Sequence, residues 1–216
     1  EVTIDMDSRF SIVYQHKEDG WKIIHIHHSL PNAEQADGEY YPKTLLSQFN
    51  EKLEKMEYLQ TLAERDGLTG LINYRTFQES YRHYVETNTS CWLFIIDVDK
   101  FKETNDTFGH MSGNHVLKKI AATLNSIVRS SDLVCRMGGD EFILLCSGFE
   151  TEEQASAFSK RIKNAIIDAG KDEKAWAGIS VGKANVSPTD QLEEVIEAAD
   201  IDLYQDKNSS RHDRSK

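Results

Sequence analysis

Leu133-Val134-Cys135-Arg136-Met137-Gly138-Gly139-Asp140-Glu141-Phe142-Ile143-Leu144-Leu145-Cys146 is the stretch on which the fold turns. Two apolar runs of strand length, Leu133–Met137 and Phe142–Cys146, enclose a turn opened by two glycines and closed by two carboxylates. The segment therefore reads as a β-hairpin with an acidic tip. A second apolar run, Cys91–Val98, ends similarly, because Phe94-Ile95-Ile96-Asp97-Val98-Asp99 sets Asp97 amid Ile and Val. A buried strand accommodates such a charge when it is paired or binds a cation. If the hairpin neighbours Cys91–Val98, the oxygens of Asp97 and Asp140 converge at one sheet end. Hard oxygen ligands with open positions suit Mg²⁺ carrying a triphosphate better than an all-protein calcium cage. The bland alternative is an acidic surface hairpin.

Outward from this hairpin, helix and strand alternate. Phe77, Tyr81, Tyr84 and Val85 form one helical stripe, and Val116, Leu117, Ile120, Leu124 and Ile127 the next. Ala155, Phe158, Ile162, Ala165 and Ile166 form another, Ala175–Gly182 reads as a strand, and Leu192, Val195, Ile196, Ala199 and Leu203 close with a helix. Mixed βα and hairpin connections predict an α/β class fold, an α+β sandwich with helices over one sheet.

The first thirty residues have another character. Phe10–Tyr14 and Trp21–His27 flank Lys17-Glu18-Asp19-Gly20, an Asp-Gly turn signal. Two strands alone cannot bury a face, so the hairpin reads as the end of a domain whose front is missing. His25 and His27 share one strand face, but no carboxylate is placed to complete a metal site, and a face lining a pocket or interface is the simpler reading. Residues 31–41 are polar and turn-rich, a linker. After Pro42 a helix carries Leu46, Phe49, Leu53, Met56, Leu59 and Ala63 at three- and four-residue steps. It is either an amphipathic helix packed on its own domain or a short parallel coiled coil joining two copies.

Composition bounds these readings. With 216 residues, one full domain plus an appendage, or two small domains, is expected. A hydrophobic fraction of 39% allows a packed core and excludes wholesale disorder. The net charge of −11 argues against nonspecific nucleic-acid binding but leaves room for a local basic pocket for a phosphorylated small molecule. No run approaches the length of a membrane span, and the opening residues have no signal-peptide pattern. The chain begins at Glu1 without an initiator Met, so a longer parent protein is expected. Cys91, Cys135 and Cys146 have no CxxC spacing and read as buried free thiols in a reducing, cytoplasmic setting.

Several ordered motifs now carry a resemblance. Arg136–Phe142 contains GGDEF verbatim, and Asp66-Gly67-Leu68-Thr69-Gly70-Leu71-Ile72-Asn73-Tyr74-Arg75 is similar to DxLTGLxNRR, with Tyr74 in place of the first Arg. Asp97–Asp106 matches DxDxFKxxND, and Phe108–Asn114 matches FGHxxGD except at its last residue. Asp202-Leu203-Tyr204-Gln205-Asp206-Lys207 and Arg211 echo ALYxAKxxGR imperfectly. Residues 66–211 thus resemble the diguanylate cyclase (GGDEF) family. Asp19–Ser29 more weakly resembles the last strands of the NTF2-like (SnoaL-like) fold. The implied organisation is a remnant of an NTF2-like sensor with its linker at 1–38, a linker helix at 39–65 and a cyclase domain at 66–216.

The family resemblance implies a βαββαβ palm and an enzyme that condenses two GTP into cyclic di-GMP and two pyrophosphates across a homodimer. It implies two-metal catalysis by Mg²⁺ or Mn²⁺ ions on Asp97, Asp140 and the Val98 carbonyl, and a proton acceptor that is either Asp140 or its neighbour Glu141. Lys102, Lys207 and Arg211 match phosphate-contacting positions, although Lys and Arg on an outer face are ordinarily just solvated. Gly138 and Gly139 leave room for phosphate oxygens near backbone N–H groups. Asn105 and His110 match substrate-pocket positions, His110 having a structural hydrogen-bonding role as its alternative. Leu117 could wall the base, though its stripe says core first. Asn114 stands where the motif has Asp, which puts guanine selectivity in question. Arg129-Ser130-Ser131-Asp132 places an RxxD motif where the product binds as an inhibitory dimer, with Lys160 or Arg161 as added contacts. Its plainer reading is a helix end followed by a polar turn. The competing class is a nucleotide-binding receptor without turnover, against which the intact carboxylates argue.

Overall fold

Strand β4 (Cys91–Val98) lies inside the sheet, and both of its faces are buried, which is why it reads as an apolar run interrupted only by Asp97. The computed structural model describes residues 9–17, 20–29, 43–176 and 178–213. The chain divides into two units, Glu1–Leu59 and Gln60–Lys216. In the first, β1 (Arg9–Lys17) and β2 (Gly20–Ser29) pair antiparallel, the hairpin anticipated from the Asp-Gly signal. The His25 and His27 rings lie 6.5 Å apart on one face. The anticipated linker at 31–41 and the side chain of Leu46 lie outside the described residues. Helix α1 (Lys43–Glu64) leaves Phe49, Leu53, Met56 and Leu59 exposed.

The second unit adds β3 (Ile72–Asn73), α2 (Tyr74–Thr87), α3 (Phe101–Phe108), α4 (His110–Ile127), β5 (Leu133–Gly138), β6 (Glu141–Cys146), α5 (Glu152–Ala169), β7 (Ile179–Val186) and α6 (Leu192–Asp213). Its five strands run in the order β3-β5-β6-β4-β7. Only β3 and β5 are parallel, and the other pairs are antiparallel. From β4 to β7 this is the expected palm order, with the helical step split into α3 and α4.

Alternation along β4 builds two core layers. Phe94 and Ile96 join Leu117, Ile120, Phe142, Leu144, Ile162 and Ile166 on the α4–α5 side. Leu93 and Ile95 join Phe77, Ile143, Leu145, Val195, Ala199 and Leu203 on the α2–α6 side. Helices therefore cover both faces of the sheet. Truncating a fully buried ring such as Phe94 or Phe142 costs about 3–5 kcal/mol. That is comparable with much of a domain's net stability of roughly 5–15 kcal/mol, so these rings fix the register that aligns the strand ends. Cys91, Cys135 and Cys146 are buried and free, as expected.

One strand boundary needs correction. The expected run Ala175–Gly182 is displaced to Ile179–Val186. Residues before it turn instead, with the Trp176 amide donating to the Glu173 carbonyl at 3.2 Å. Lys183 breaks the apolar run in the sequence. On an edge strand its ammonium reaches Glu152 and Asp202, so the strand continues through it.

Candidate active site

Antiparallel pairing of β4 with β6 places Asp97 opposite Glu141, and the acidic turn between β5 and β6 falls at the end of β4. The Val98 amide donates to the Asp140 carbonyl at 3.2 Å, tying the end of β4 to that turn. Gly139 has φ +53°, a left-handed conformation that glycine adopts without the strain a Cβ brings. Gly138 and Gly139 are both exposed, so the turn presents open backbone.

Charge at this strand end is mainly negative, with one ammonium set against several carboxylates. Burial pushes the Asp97 carboxyl above its ordinary range, Lys207 pulls it back, and Asp140 and Asp99 push it up further. Burial likewise raises Glu141, and the neighbouring Asp97 and Asp140 carboxylates add to the effect. Lys207 Nζ stands 2.9 Å from Asp97 Oδ1, a cation already at the position where the acidic oxygens gather.

These residues fit a magnesium-like ion. Among the described residues, no three His, Cys, Asp or Glu side chains form a ready-made cage. An ion here would rest on Asp97, Asp140 and a backbone oxygen such as that of Val98, taking the rest of its shell from water and phosphate. That is the usual habit of Mg²⁺ and not of Ca²⁺.

The other sequence-derived candidates distribute as follows. Lys102 is exposed on α3, and His110 is exposed at the start of α4. Asn105 is half-buried where α3 meets α4, because a Cβ on Gly113 would lie 2.0 Å from its Oδ1. Asn114, the next residue, is also half-buried. Leu117 is only 1% exposed and belongs to the core, as its stripe indicated. The Arg211 side chain lies outside the described residues.

Away from the acidic turn, Asp132 accepts from the Arg129 amide at 2.9 Å and from the Tyr84 hydroxyl at 3.0 Å. Arg161 donates to the Ile127 carbonyl at the end of α4. Arg129, Asp132 and Arg161 therefore surround one helix terminus. Lys160 lines a shallow cavity beside α5 with Glu152, Glu153 and Ser156.

One support of the acidic turn, Arg136, escaped the sequence reading. Arg136 donates to the Gly139 carbonyl from Nε at 3.1 Å and from Nη2 at 2.6 Å. Its Nη1 reaches both Asp66 oxygens, at 3.0 and 3.1 Å. Burial alone would raise the Asp66 carboxyl, but hydrogen bonds from Thr69 and the charged Arg136 bring it below its usual value. The guanidinium thus locks the acidic turn to the segment that precedes β3. The only sequence signal was an Arg two residues before the glycine pair.

The family described as "Diguanylate cyclase, GGDEF domain" matches residues 63–213. The diguanylate cyclase DosC of Escherichia coli (strain K12) is 36% identical over 176 residues, 78% of this chain and 37% of DosC. The chain thus spans under two-fifths of that curated relative. A solved sensory box/GGDEF family protein from Caulobacter crescentus CB15 is 31% identical, with a TM-score of 0.59 over 68% of this chain and 99% of that one. The GGDEF domain of DgcB from Caulobacter crescentus, solved in complex with c-di-GMP, is 25% identical, with a TM-score of 0.59 over 68% of this chain and 89% of that one.

Proposed function

Because this chain belongs to the diguanylate cyclase GGDEF family, we propose that it condenses two GTP molecules into cyclic di-GMP and two pyrophosphates, each half of the reaction on one copy of a homodimer. The observation that carries this reading is the meeting of Asp97 with the Asp140–Glu141 turn at one strand end. Each 3′-hydroxyl attacks the α-phosphate of the facing GTP, a new phosphodiester forms, and the bond to pyrophosphate breaks. The hydroxyl proton passes to a carboxylate of the turn, Asp140 or Glu141. Burial and the adjacent carboxylates make Glu141 a stronger base than an ordinary glutamate. Mg²⁺ or Mn²⁺ held by Asp97, Asp140 and the Val98 carbonyl would offset charge building on the triphosphate, which favours in-line attack.

Around that centre, Lys102, Lys207 and Arg211 hold phosphates, and the Gly138–Gly139 backbone admits them closely. Asn105, His110 and Asn114 border the base. Arg129, Asp132 and Arg161 bind product as a brake, with the Arg fork facing guanine or phosphate oxygens. Residues 66–216 form the catalytic domain in a cytoplasmic setting, 39–65 a helix joining two copies, and 1–38 the end of an NTF2-like sensor. The exposed Phe49, Leu53, Met56 and Leu59 stripe supports the joining role.

The test is incubation with GTP, ATP and Mg²⁺, with mass identification of products across a dilution series. Cyclic di-GMP and pyrophosphate are expected, with a rate per subunit that rises with protein concentration. GTP left unchanged would refute the activity, and a rate independent of dilution down to a demonstrated monomer would refute the dimer.

A further inference from the structure

Helix α6 is held on two flanks, and only one of them is the site described above. Its buried stripe, Val195, Ala199 and Leu203, packs on the α2–α6 face of the sheet. Contact is close enough that a Cβ on Gly182 would meet the Ala199 carbonyl at 2.1 Å. Leu203 is the last buried residue of α6 among those whose burial is described. Beyond it, Asp206 and Lys207 tie the helix down through polar contacts.

Those contacts are specific. Strand β7 is a sheet edge, so its outward amides lack a strand partner. Two carboxylates one turn apart on α6 supply acceptors. The Lys183 amide donates to Asp202 at 2.9 Å, and the Val181 amide donates to Asp206 at 3.0 Å. Asp206 is also clasped by Lys163 of α5, whose ammonium lies 2.6 Å from Oδ2. Both members of this pair are largely buried, with side chains 27% and 24% exposed. Lys207, the next residue, projects about 100° further round the helix and stands 2.9 Å from Asp97 at the end of β4.

Resting on the cyclase reading, we propose that Asp206 is a positioning residue for Lys207. Clasped by Lys163 and the Val181 amide, it fixes the roll and height of α6 beyond Leu203, so that the Lys207 ammonium stands at the end of β4 where the phosphates bind. Asp206 touches neither substrate nor metal. It works through the neighbouring lysine, as supporting contacts commonly do for a binding group.

A double-mutant cycle on the full chain tests this, read as calorimetric affinity for a GTP analogue with an α,β-methylene bridge in the presence of Mg²⁺. Lys207→Met and Asp206→Ala should each weaken binding by about tenfold, and the double variant should be no weaker than Lys207→Met alone. Asp206→Asn keeps an acceptor for the Val181 amide and should fall between. Asp202→Ala removes the equivalent edge cap one turn earlier and should stay within about twofold of the unmodified protein, although its melting temperature falls. If Asp206→Ala does not fold, Lys163→Met carries the same cycle. Losses that multiply on the Lys207→Met background, an Asp202→Ala loss as large as that of Asp206→Ala, or no loss from either clasp variant would overturn the positioning role. Failure of the unmodified protein to bind the analogue would overturn the cyclase reading and this inference with it.

Discussion

Replacing Arg136 with Met is the sharpest test of how the acidic turn is held. The side chain is 12% exposed and makes four hydrogen bonds, two to the Gly139 carbonyl and two to Asp66. Gly139 is exposed, so water replaces the lost donors there at little cost. Asp66 is 24% exposed and keeps both bonds from Thr69, which limits the penalty on its charge. A hydrogen bond to a charged group contributes about 1.5–3 kcal/mol, so Arg136→Met should destabilise by about 2 kcal/mol. In a domain of this size that lowers the melting temperature by about 4–8 °C. The consequence for turnover should be larger, since the guanidinium is the side chain bracing the carbonyl next to Asp140. Displacing a reacting group by about 1 Å costs on the order of a hundredfold. Pyrophosphate release at saturating GTP, measured beside thermal unfolding, separates the two effects. Adding Asp66→Asn should restore much of the stability, because the partner's charge is gone, but none of the turnover. Normal turnover in Arg136→Met, or turnover that returns with stability in the double variant, would show that the β5–β6 hairpin holds its own turn and that this reasoning is wrong.

Four further outcomes are expected. Asp97→Asn should lower pyrophosphate release by about a hundredfold to a thousandfold while folding normally, as judged by circular dichroism. Asn114→Asp should tighten GTP use by about tenfold, since a carboxylate gives both guanine donors an acceptor; unchanged affinity in competition with ATP would count against a base-reading role. Arg129→Ala should remove inhibition by added cyclic di-GMP and leave the initial rate intact, and persistent inhibition would dismiss that site. Asp66 has a folded-state pKa below the usual 3.8, so its ionised form is favoured by folding. The stability it contributes is therefore present above about 3.8 and lost as pH falls through the lower folded value, and denaturant unfolding of Asp66→Asn should converge with the unmodified protein below that window.

What the sequence made legible was what short-range pattern encodes. β4, β5, β6 and the helical stripes follow from apolar spacing, and the convergence of Asp97 with Asp140 needed only the guess that their strands are neighbours. The bounds of β7 were not legible, because Lys183 is polar by type yet largely covered in the fold, and its Glu152 and Asp202 partners explain how a strand runs through it. Arg136 was invisible as a brace because Asp66 lies seventy residues earlier in the chain. Asp202 and Asp206 registered only as mismatches to a motif, since an edge amide in need of an acceptor is a property of sheet order and not of local sequence.

The balance of charge at the strand end argues for the same function by another route. Asp97, Glu141 and Asp200 are each pushed upward by loss of solvent, and Glu141 further by Asp97 and Asp140. Lys207 acts as a counter-charge to all three. Stability alone would favour amides or apolar groups here, because crowded carboxylates that lose water gain little from a single ammonium. On the proposed reading that repulsion would become useful, because a bound cation would take the crowded oxygens as ligands. On that reading Lys207 would then give up its role as counter-ion to Asp97 and could meet a phosphate. The arrangement is costly for the isolated fold and well suited to a site completed by a metal-bound triphosphate.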